Sequence, residues 1–398
     1  MNGGDLIKKN IAFIIPSLCG GGAERVISIL SLNIPNKYNL YIITYENKKI
    51  NYDHGGTVIN LNLPGTSKKI DKLISTVKRI YKLRKIKNKY NIEKSISFLD
   101  NPNTVNILSR CKDKVIISVR NQRSKECGSS NNLTNYIINK LYSKSDKIIA
   151  LSNGVRKDLI DNLNILPEKI GVIYNPLDIN YINSLKEQKI EKKYEKIFNN
   201  KNYVIITSGR LTYQKGQWYL LRSFKKVLET ISNVNLVILG EGELESDLKQ
   251  MTVNMKIDNN VYFLGFQSNP FKYIKNSDLF VFTSLFEGFG NVITESMACG
   301  TVVISSDCKS GPKEILNPSD KEKLVDDVYL ADYGVLIPEF DGKKYDENSS
   351  LTKSEEILTK GIIELINNKS LKDEYEKKIL DRVTDFDPKV IVNKWCEL

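Results

Sequence analysis

The chain has 398 residues, 41% of them hydrophobic and 27% charged, which is enough for two ordinary globular cores. No window approaches the run of about 18 uncharged apolar residues that a membrane-spanning helix needs, so no such helix is expected. The net charge of +12 is unevenly placed, with 29 Lys and Arg against 14 Asp and Glu in residues 1–180 and 30 against 33 in the remainder.

In chain order, Lys8-Lys9 and Ile11–Leu18 have the outline of a secretion signal. Pro16 interrupts the run, however, Leu18 before Cys19 lacks the small residue of a lipoprotein cleavage site, and glycines follow. We read a first buried strand and expect a cytoplasmic protein. Strands are then predicted at Ile11–Ile15, Leu40–Thr44, Val58–Leu61, Lys94–Phe98, Val115–Val119 and Lys147–Ala150. Helices are predicted over Ala23–Ser31, Ile70–Lys87, Asn101–Ser109, Leu133–Ser143 and Asn153–Asn162. His54, the one histidine, falls in a polar turn and is read as a solvated loop residue. It rules out a His-based metal site. The six cysteines form no close C-x-x-C pair, against a disulfide scaffold or structural zinc.

Lys68–Lys89 holds ten basic residues against the single acid Asp71. Ile70, Leu73, Ile74, Val77 and Tyr81 recur in it at helical spacing. Two readings stand: a basic amphipathic helix attracted to an anionic membrane surface, or a domain helix that packs its apolar stripe on the sheet and leaves its lysines in water.

The pattern restarts after Asn175-Pro176, with strands at Tyr203–Ser208, Leu236–Leu239, Val261–Leu264, Leu279–Thr283, Val302–Ser305 and Gly334–Leu336. Strands alternating with amphipathic stretches predict parallel α/β layers, and two such halves imply a cleft, the preferred place for a ligand. Asn317–Lys323 and Asp341–Thr352 read as loops, Asp385-Phe-Asp387 as a helix-capping loop, and Pro388–Leu398 as a closing helix.

The most informative segment is Phe286-Glu-Gly-Phe-Gly-Asn-Val-Ile-Thr-Glu295, where Glu287 and Glu295 stand eight positions apart. A strand, a glycine loop and a helix beginning at Asn291 would turn backbone N–H groups into the loop, an anion site flanked by two carboxylates. A ligand with an anionic centre and hydroxyl-rich ends fits it. Arg210 and Lys215, just past a strand, can reach the same place. Dinucleotide binding has little support, because G-x-G-x-x-G fails at Arg25 after Gly20 and Gly22, and at Glu245 after Gly240 and Gly242.

The segment resembles the E-x7-E region of retaining GT-B glycosyltransferases, specifically glycosyltransferase family 4. Further matches run in the same order: Gly20-Gly-Gly-Ala-Glu-Arg25, Ile173-Tyr-Asn-Pro-Leu-Asp178, Ser208–Gly216, Leu239-Gly-Glu-Gly-Glu-Leu244, Gly311-Pro-Lys-Glu-Ile315 and Tyr333-Gly-Val-Leu-Ile-Pro338. The resemblance implies an α/β GT-B fold, two Rossmann-like α/β/α domains facing each other across a cleft. Residues 1–176 would bind acceptor and 177–380 the nucleotide sugar, with 381–398 crossing back as a C-terminal helix. It implies Arg210 and Lys215 on the donor diphosphate, Glu295 on the ribose, and Glu287 at the transferred sugar. Gly288, Phe289, Gly290, Asn291 and Val292 would supply helix-end amides, and Gly265 and Phe266 the nucleobase pocket.

On the acceptor side it implies Gly20, Gly21, Gly22, Arg120 and Asn121. Many relatives carry a histidine where Arg120 stands, and a guanidinium cannot serve as a base at neutral pH. Arg120 would therefore orient or bind anions. No metal or other cofactor is expected. The donor is expected to be a UDP-linked hexose or N-acetylhexosamine, and the acceptor a glycan or polyprenyl-diphosphate-linked chain at the cytoplasmic membrane face. The mechanism stays open between double displacement on Glu287 and front-face departure. The rival enzyme is a sugar-nucleotide epimerase or hydrolase on a similar scaffold. Nucleic acid is not an expected partner, since no recognition motif accompanies the basic half.

Overall fold

The computed structural model describes residues 8–19, 21–46, 50, 52–65, 69–121, 132–198 and 202–398. Internal contacts divide the chain into two units, Met1–Pro176 with Phe386–Leu398, and Leu177–Asp385.

Unit 1 is built on strands β1 (Lys9–Ile14), β2 (Tyr38–Thr44), β3 (Thr57–Asn60), β4 (Lys94–Phe98), β5 (Lys114–Val119), β6 (Lys147–Ala150) and β7 (Ile170–Val172). All pair in parallel in the order β3-β2-β1-β4-β5-β6-β7. Alternation along β1 sends Ile11 and Phe13 to one buried cluster and Ala12 and Ile14 to another, as expected of a strand covered on both faces. The helix Pro388–Glu397 closes the first cluster with Ile391, Val392 and Trp395, whose ring lies 5.4 Å from that of Phe98.

Unit 2 repeats the plan with β8 (Tyr203–Ser208), β9 (Val234–Leu239), β10 (Val261–Gly265), β11 (Leu279–Phe282), β12 (Val302–Ser306), β13 (Tyr329–Ala331) and β14 (Gly334–Ile337). Their order is β10-β9-β8-β11-β12-β14-β13, with only β13 antiparallel among them. In both sheets the first strand of the unit pairs with the second on one side and the fourth on the other, the Rossmann-type reversal of strand order. Ligands in such sheets bind beyond the carboxyl ends of the strands at that reversal, which here is β1/β4 and β8/β11. Strand β11 ends at Phe282, one residue before the expected Thr283, because the chain turns there toward the Lys215 carbonyl, to which Thr283 Oγ1 donates at 3.0 Å.

The helix Lys69–Lys89 forms where expected, but packs the other way round. Its inward face is Ser75, Arg79, Leu83 and Lys87, while the apolar stripe lies in solvent. Lys87 pairs with Asp113 at 2.8 Å, both side chains fully buried. Arg79 donates to the Leu63 and Pro64 carbonyls and to Asn101, and stacks over the Tyr45 ring. The reading in which the stripe packs on the sheet is therefore corrected: Leu83, with Ile80 and Ile86, joins the apolar cluster of Ala12, Ile14 and Val105, while Arg79 and Lys87 on the same inward side find polar partners.

His54 is half-buried rather than solvated, since the following Gly55 backbone lies against Ser31. Asp387 caps the last helix by accepting from Lys389 N, and Asp385 pairs with Arg382, as a capping loop should. Among the described residues no helix is long and apolar enough to cross a membrane.

Candidate active site

The loops after β8 and β11 meet at the strand reversal of unit 2. Lys215 ends a single helical turn after β8. Gly216 then turns left-handed (φ 60°) to start the helix Gln217–Thr230, and a Cβ there would fall 2.5 Å from the Thr283 carbonyl. The close approach admits two stitches: Leu285 N donates to the Gln214 carbonyl at 2.8 Å, and Gln214 Nε2 to the Phe286 carbonyl at 2.8 Å. Across this seam Lys215 Nζ meets Glu287 Oε1 at 2.6 Å, the two side chains 16% and 10% exposed. Lys215 also lies 5.2 Å from the Phe282 ring centre.

Below Glu287 the loop is anchored from a third strand. Ser310 Oγ donates to the Glu287 carbonyl at 2.8 Å, and Phe286 bridges Lys309. Gly311 (φ 99°) passes so close that a Cβ would sit 1.9 Å from the Phe289 carbonyl, so only glycine fits. Burial, and then the Glu287 charge, push the Cys308 thiol well up, which keeps it neutral beneath the carboxylate.

Gly288 and Phe289 are buried, and Gly290 is the N-cap of the helix Asn291–Ala298, which no side chain caps. The first-turn amides, those of Asn291 and Val292 among them, thus lie at a helix end that favours negative charge. Glu295 is half-buried in the second turn of the same helix.

Arg210 is exposed, and among the described residues its guanidinium makes no hydrogen bond or ion pair; its carbonyl accepts from Gln217. Gly265 ends β10, two strands from the reversal, and its carbonyl accepts from Gly240 N at 2.8 Å. Phe266 follows with its ring 71% exposed, while its N–H donates to Glu241 Oε1 at 3.3 Å. Ser310 and Glu241 were missed as site residues, although both lie in glycine-bearing motifs that the sequence displays.

The residues expected on the acceptor side lie in unit 1. Gly20 is outside the described residues. Gly21 is the N-cap of the helix Gly22–Leu32, with the Glu24 carboxylate folded against it. Arg120, after β5, is 8% exposed, sits over the Phe98 ring and donates to Asn175 Oδ1. Burial lowers its guanidinium to about 10, opposed by the Glu24 charge, so it stays cationic at neutral pH. Asn121 is exposed beside it. Glu24 and Asn175 were not predicted as partners of Arg120, because they are distant in sequence and meet it only at the strand ends.

Comparison with known proteins agrees with this architecture. The profile of Glycosyltransferase Family 4 matches residues 20–181, and that of glycosyl transferases group 1 matches residues 188–332. A glycosyltransferase of Methanocaldococcus jannaschii is 35% identical over 80% of this chain and 82% of its own length. The N-acetylgalactosamine-N,N'-diacetylbacillosaminyl-diphospho-undecaprenol 4-alpha-N-acetylgalactosaminyltransferase of Campylobacter jejuni is 30% identical over 80% and 86%. Among solved structures, Anabaena HepE in complex with UDP-glucose superposes with a TM-score of 0.73 at 20% identity, covering 98% of both chains. Fold, strand-end motifs and relatives converge, and the chain belongs to glycosyltransferase family 4 (group 1), a glycosyltransferase with the GT-B fold.

Proposed function

We propose that the protein transfers a hexose or N-acetylhexosamine, with retention and without a metal ion, from a UDP-linked donor to a lipid-linked glycan acceptor in bacterial surface-glycan assembly. The observation that carries this reading is the Lys215–Glu287 pair, 2.6 Å apart at the β8/β11 reversal and beside an uncapped helix end. Departure of a diphosphate demands positive charge held in place. Arg210 supplies a two-pronged grip, Lys215 a point charge, and the amides after Gly290 a dipole. Glu295 accepts from the ribose hydroxyls, and the exposed Phe266 ring offers a face to the base. These roles go with a diphosphate held by protein cations, which is why no metal is invoked.

Glu287, neutralised by Lys215, is a poor nucleophile, which favours front-face departure. The anomeric C–O bond to the diphosphate breaks, the acceptor hydroxyl oxygen bonds to the anomeric carbon on the same face, and its proton passes to the leaving phosphate oxygen. Buried and cationic, Arg120 with Asn121 and the Gly21-Gly22 loop belong to acceptor binding.

The Campylobacter jejuni relative acts on a diphospho-undecaprenol acceptor by name. The lipopolysaccharide 1,6-galactosyltransferase of Salmonella typhimurium is 29% identical over 44% of this chain and 46% of its own length. Both support a lipid-linked glycan. Positive charge concentrated in residues 1–180 supports attraction to an anionic inner leaflet.

The test is a panel of nucleotide sugars screened for thermal stabilisation, followed by transfer to a short lipid-linked acceptor with and without a chelator. Stabilisation by one UDP sugar, and chelator-resistant transfer that retains the anomeric configuration, are expected. No stabilisation by any nucleotide sugar, or activity only with added divalent cation, would sink the reading.

A further inference from the structure

The loop that carries Glu287 is rich in glycine, and such a loop does not hold one shape unaided. Gly288 and Gly290 flank Phe289, and Gly290 is left-handed (φ 93°). The Glu287 carboxylate nevertheless stays 2.6 Å from Lys215 Nζ. Two side chains from elsewhere hold the main chain there. Gln214 Nε2 donates to the Phe286 carbonyl and Ser310 Oγ to the Glu287 carbonyl, each at 2.8 Å.

Ser310 makes its bond from an unfavourable backbone. Its φ is 69°, in the left-handed region that glycine enters freely and a residue with a Cβ seldom adopts. Asn62, Asn91 and Asn164 share that sign of φ through the tolerance of asparagine, and Lys256 by following the C-cap of a helix. Ser310 has neither reason. Nor does its hydroxyl serve the helix that begins two residues on, since Pro312–Leu316 has Gly311 as N-cap and no side-chain cap.

The bond falls where a shift matters. Phe286 bridges Lys309, and Gly311 passes against the Phe289 carbonyl, so residues 309–311 run along the Glu287 loop. A glycine at position 310 would keep that path without strain and lose only the hydroxyl. Backbone strain of this kind gathers at functional sites, where the surrounding structure holds it in place.

We propose that Ser310 is a positioning residue for sugar transfer: its hydroxyl pins the Glu287 carbonyl, so that the carboxylate keeps one place against Lys215 and the transferred sugar. Ser310 acts through Glu287 and not on the substrate. Its purpose rests on the transferase reading of this site, though one arm of the test needs no substrate.

Three measurements on the full-length protein test the pin. Ser310→Gly and Ser310→Ala should each lower kcat by about fivefold to tenfold. Donor affinity in calorimetry should stay within about twofold of wild type, because Arg210 and Glu295 still hold the donor. In a Glu287→Gln background, Ser310→Gly should change kcat by less than about twofold. Melting curves should place Ser310→Gly above Ser310→Ala, which loses the same hydroxyl and keeps the strain. Amide hydrogen exchange without substrate should run about fivefold or more faster over Phe286–Asn291 in Ser310→Gly than in wild type.

The proposal is overturned if Ser310→Gly keeps the wild-type kcat or if the loop exchanges as it does in wild type. It is also overturned if the Ser310 and Glu287 effects multiply, or if Ser310→Ala melts as high as Ser310→Gly. A loop that loosens in Ser310→Gly, in a protein whose wild type transfers no sugar, would support the pin while removing the transferase reading. The two failures are therefore distinguishable.

Discussion

Two lysine–carboxylate pairs, one in each unit, use the same chemistry to opposite ends. Lys87–Asp113 is fully buried and closed: Lys87 also donates to Asn106 Oδ1 at 2.7 Å, while Asp113 accepts from Ser95 Oγ and from Cys111 N at 2.9 Å. Lys215–Glu287 is partly open, with a single hydrogen bond between the side chains and a helix end beside it. A closed network has no donor left for a ligand and acts as a structural tie. The open pair keeps ammonium protons and carboxylate lone pairs for a guest. Closure, more than charge, separates a tie from a site.

The comparison is broken most readily at the tie. Asp113→Ala strands a buried ammonium and should cost about 3–5 kcal/mol, read as a lower urea midpoint with donor affinity unchanged in the folded fraction. A loss under about 1 kcal/mol would mean that the pair is not closed.

Lys215→Ala should do the reverse, lowering kcat by about 10²–10³ with little change in melting temperature. Steady-state transfer assays beside a melting curve check both halves of that statement. Next in size, Glu295→Ala should weaken donor binding by about 1.5–3 kcal/mol in calorimetry, and Arg210→Ala should also slow diphosphate departure. Full transfer rates in both variants would misplace the site.

The smallest effect is on pH. Burial alone would raise the Asp113 carboxyl, but the Lys87 charge and the hydrogen bonds to it win and hold it below its ordinary value. Its contribution is therefore complete above the unfolded value of about 3.9, and is lost as pH falls through that value toward the folded one. Urea unfolding across that range should show a steeper acid loss in wild type than in Asp113→Asn. Equal slopes would assign the acid sensitivity elsewhere.

Elements with strong local patterns were legible in the sequence. The bounds of β4, β6 and β8 were read to the residue, β6 and β8 from their β-branched runs and β4 from its strict alternation around Ile96. Strands β7 and β13 were not, because three residues each, one set containing Gly171, give alternation nothing to act on. The candidate site was legible as motifs: Arg210, Lys215 and Glu287 each stand beside a glycine, and Glu295 stands out by its eight-residue spacing from Glu287. That Lys215 closes on Glu287, seventy-two positions away, was not.

The sequence alone determined that a long helix would follow Gly65, that two α/β halves would meet near Pro176, and that glycine loops would end particular strands. Periodicity, turn chemistry and strand propensity act between near neighbours, so they can be read without coordinates. Tertiary structure alone decided which face of the Lys69–Lys89 helix turns inward and which carboxylate each lysine finds. Those outcomes depend on Asp113, Asn106 and Leu63 being brought from other parts of the chain to satisfy groups that water would otherwise have held.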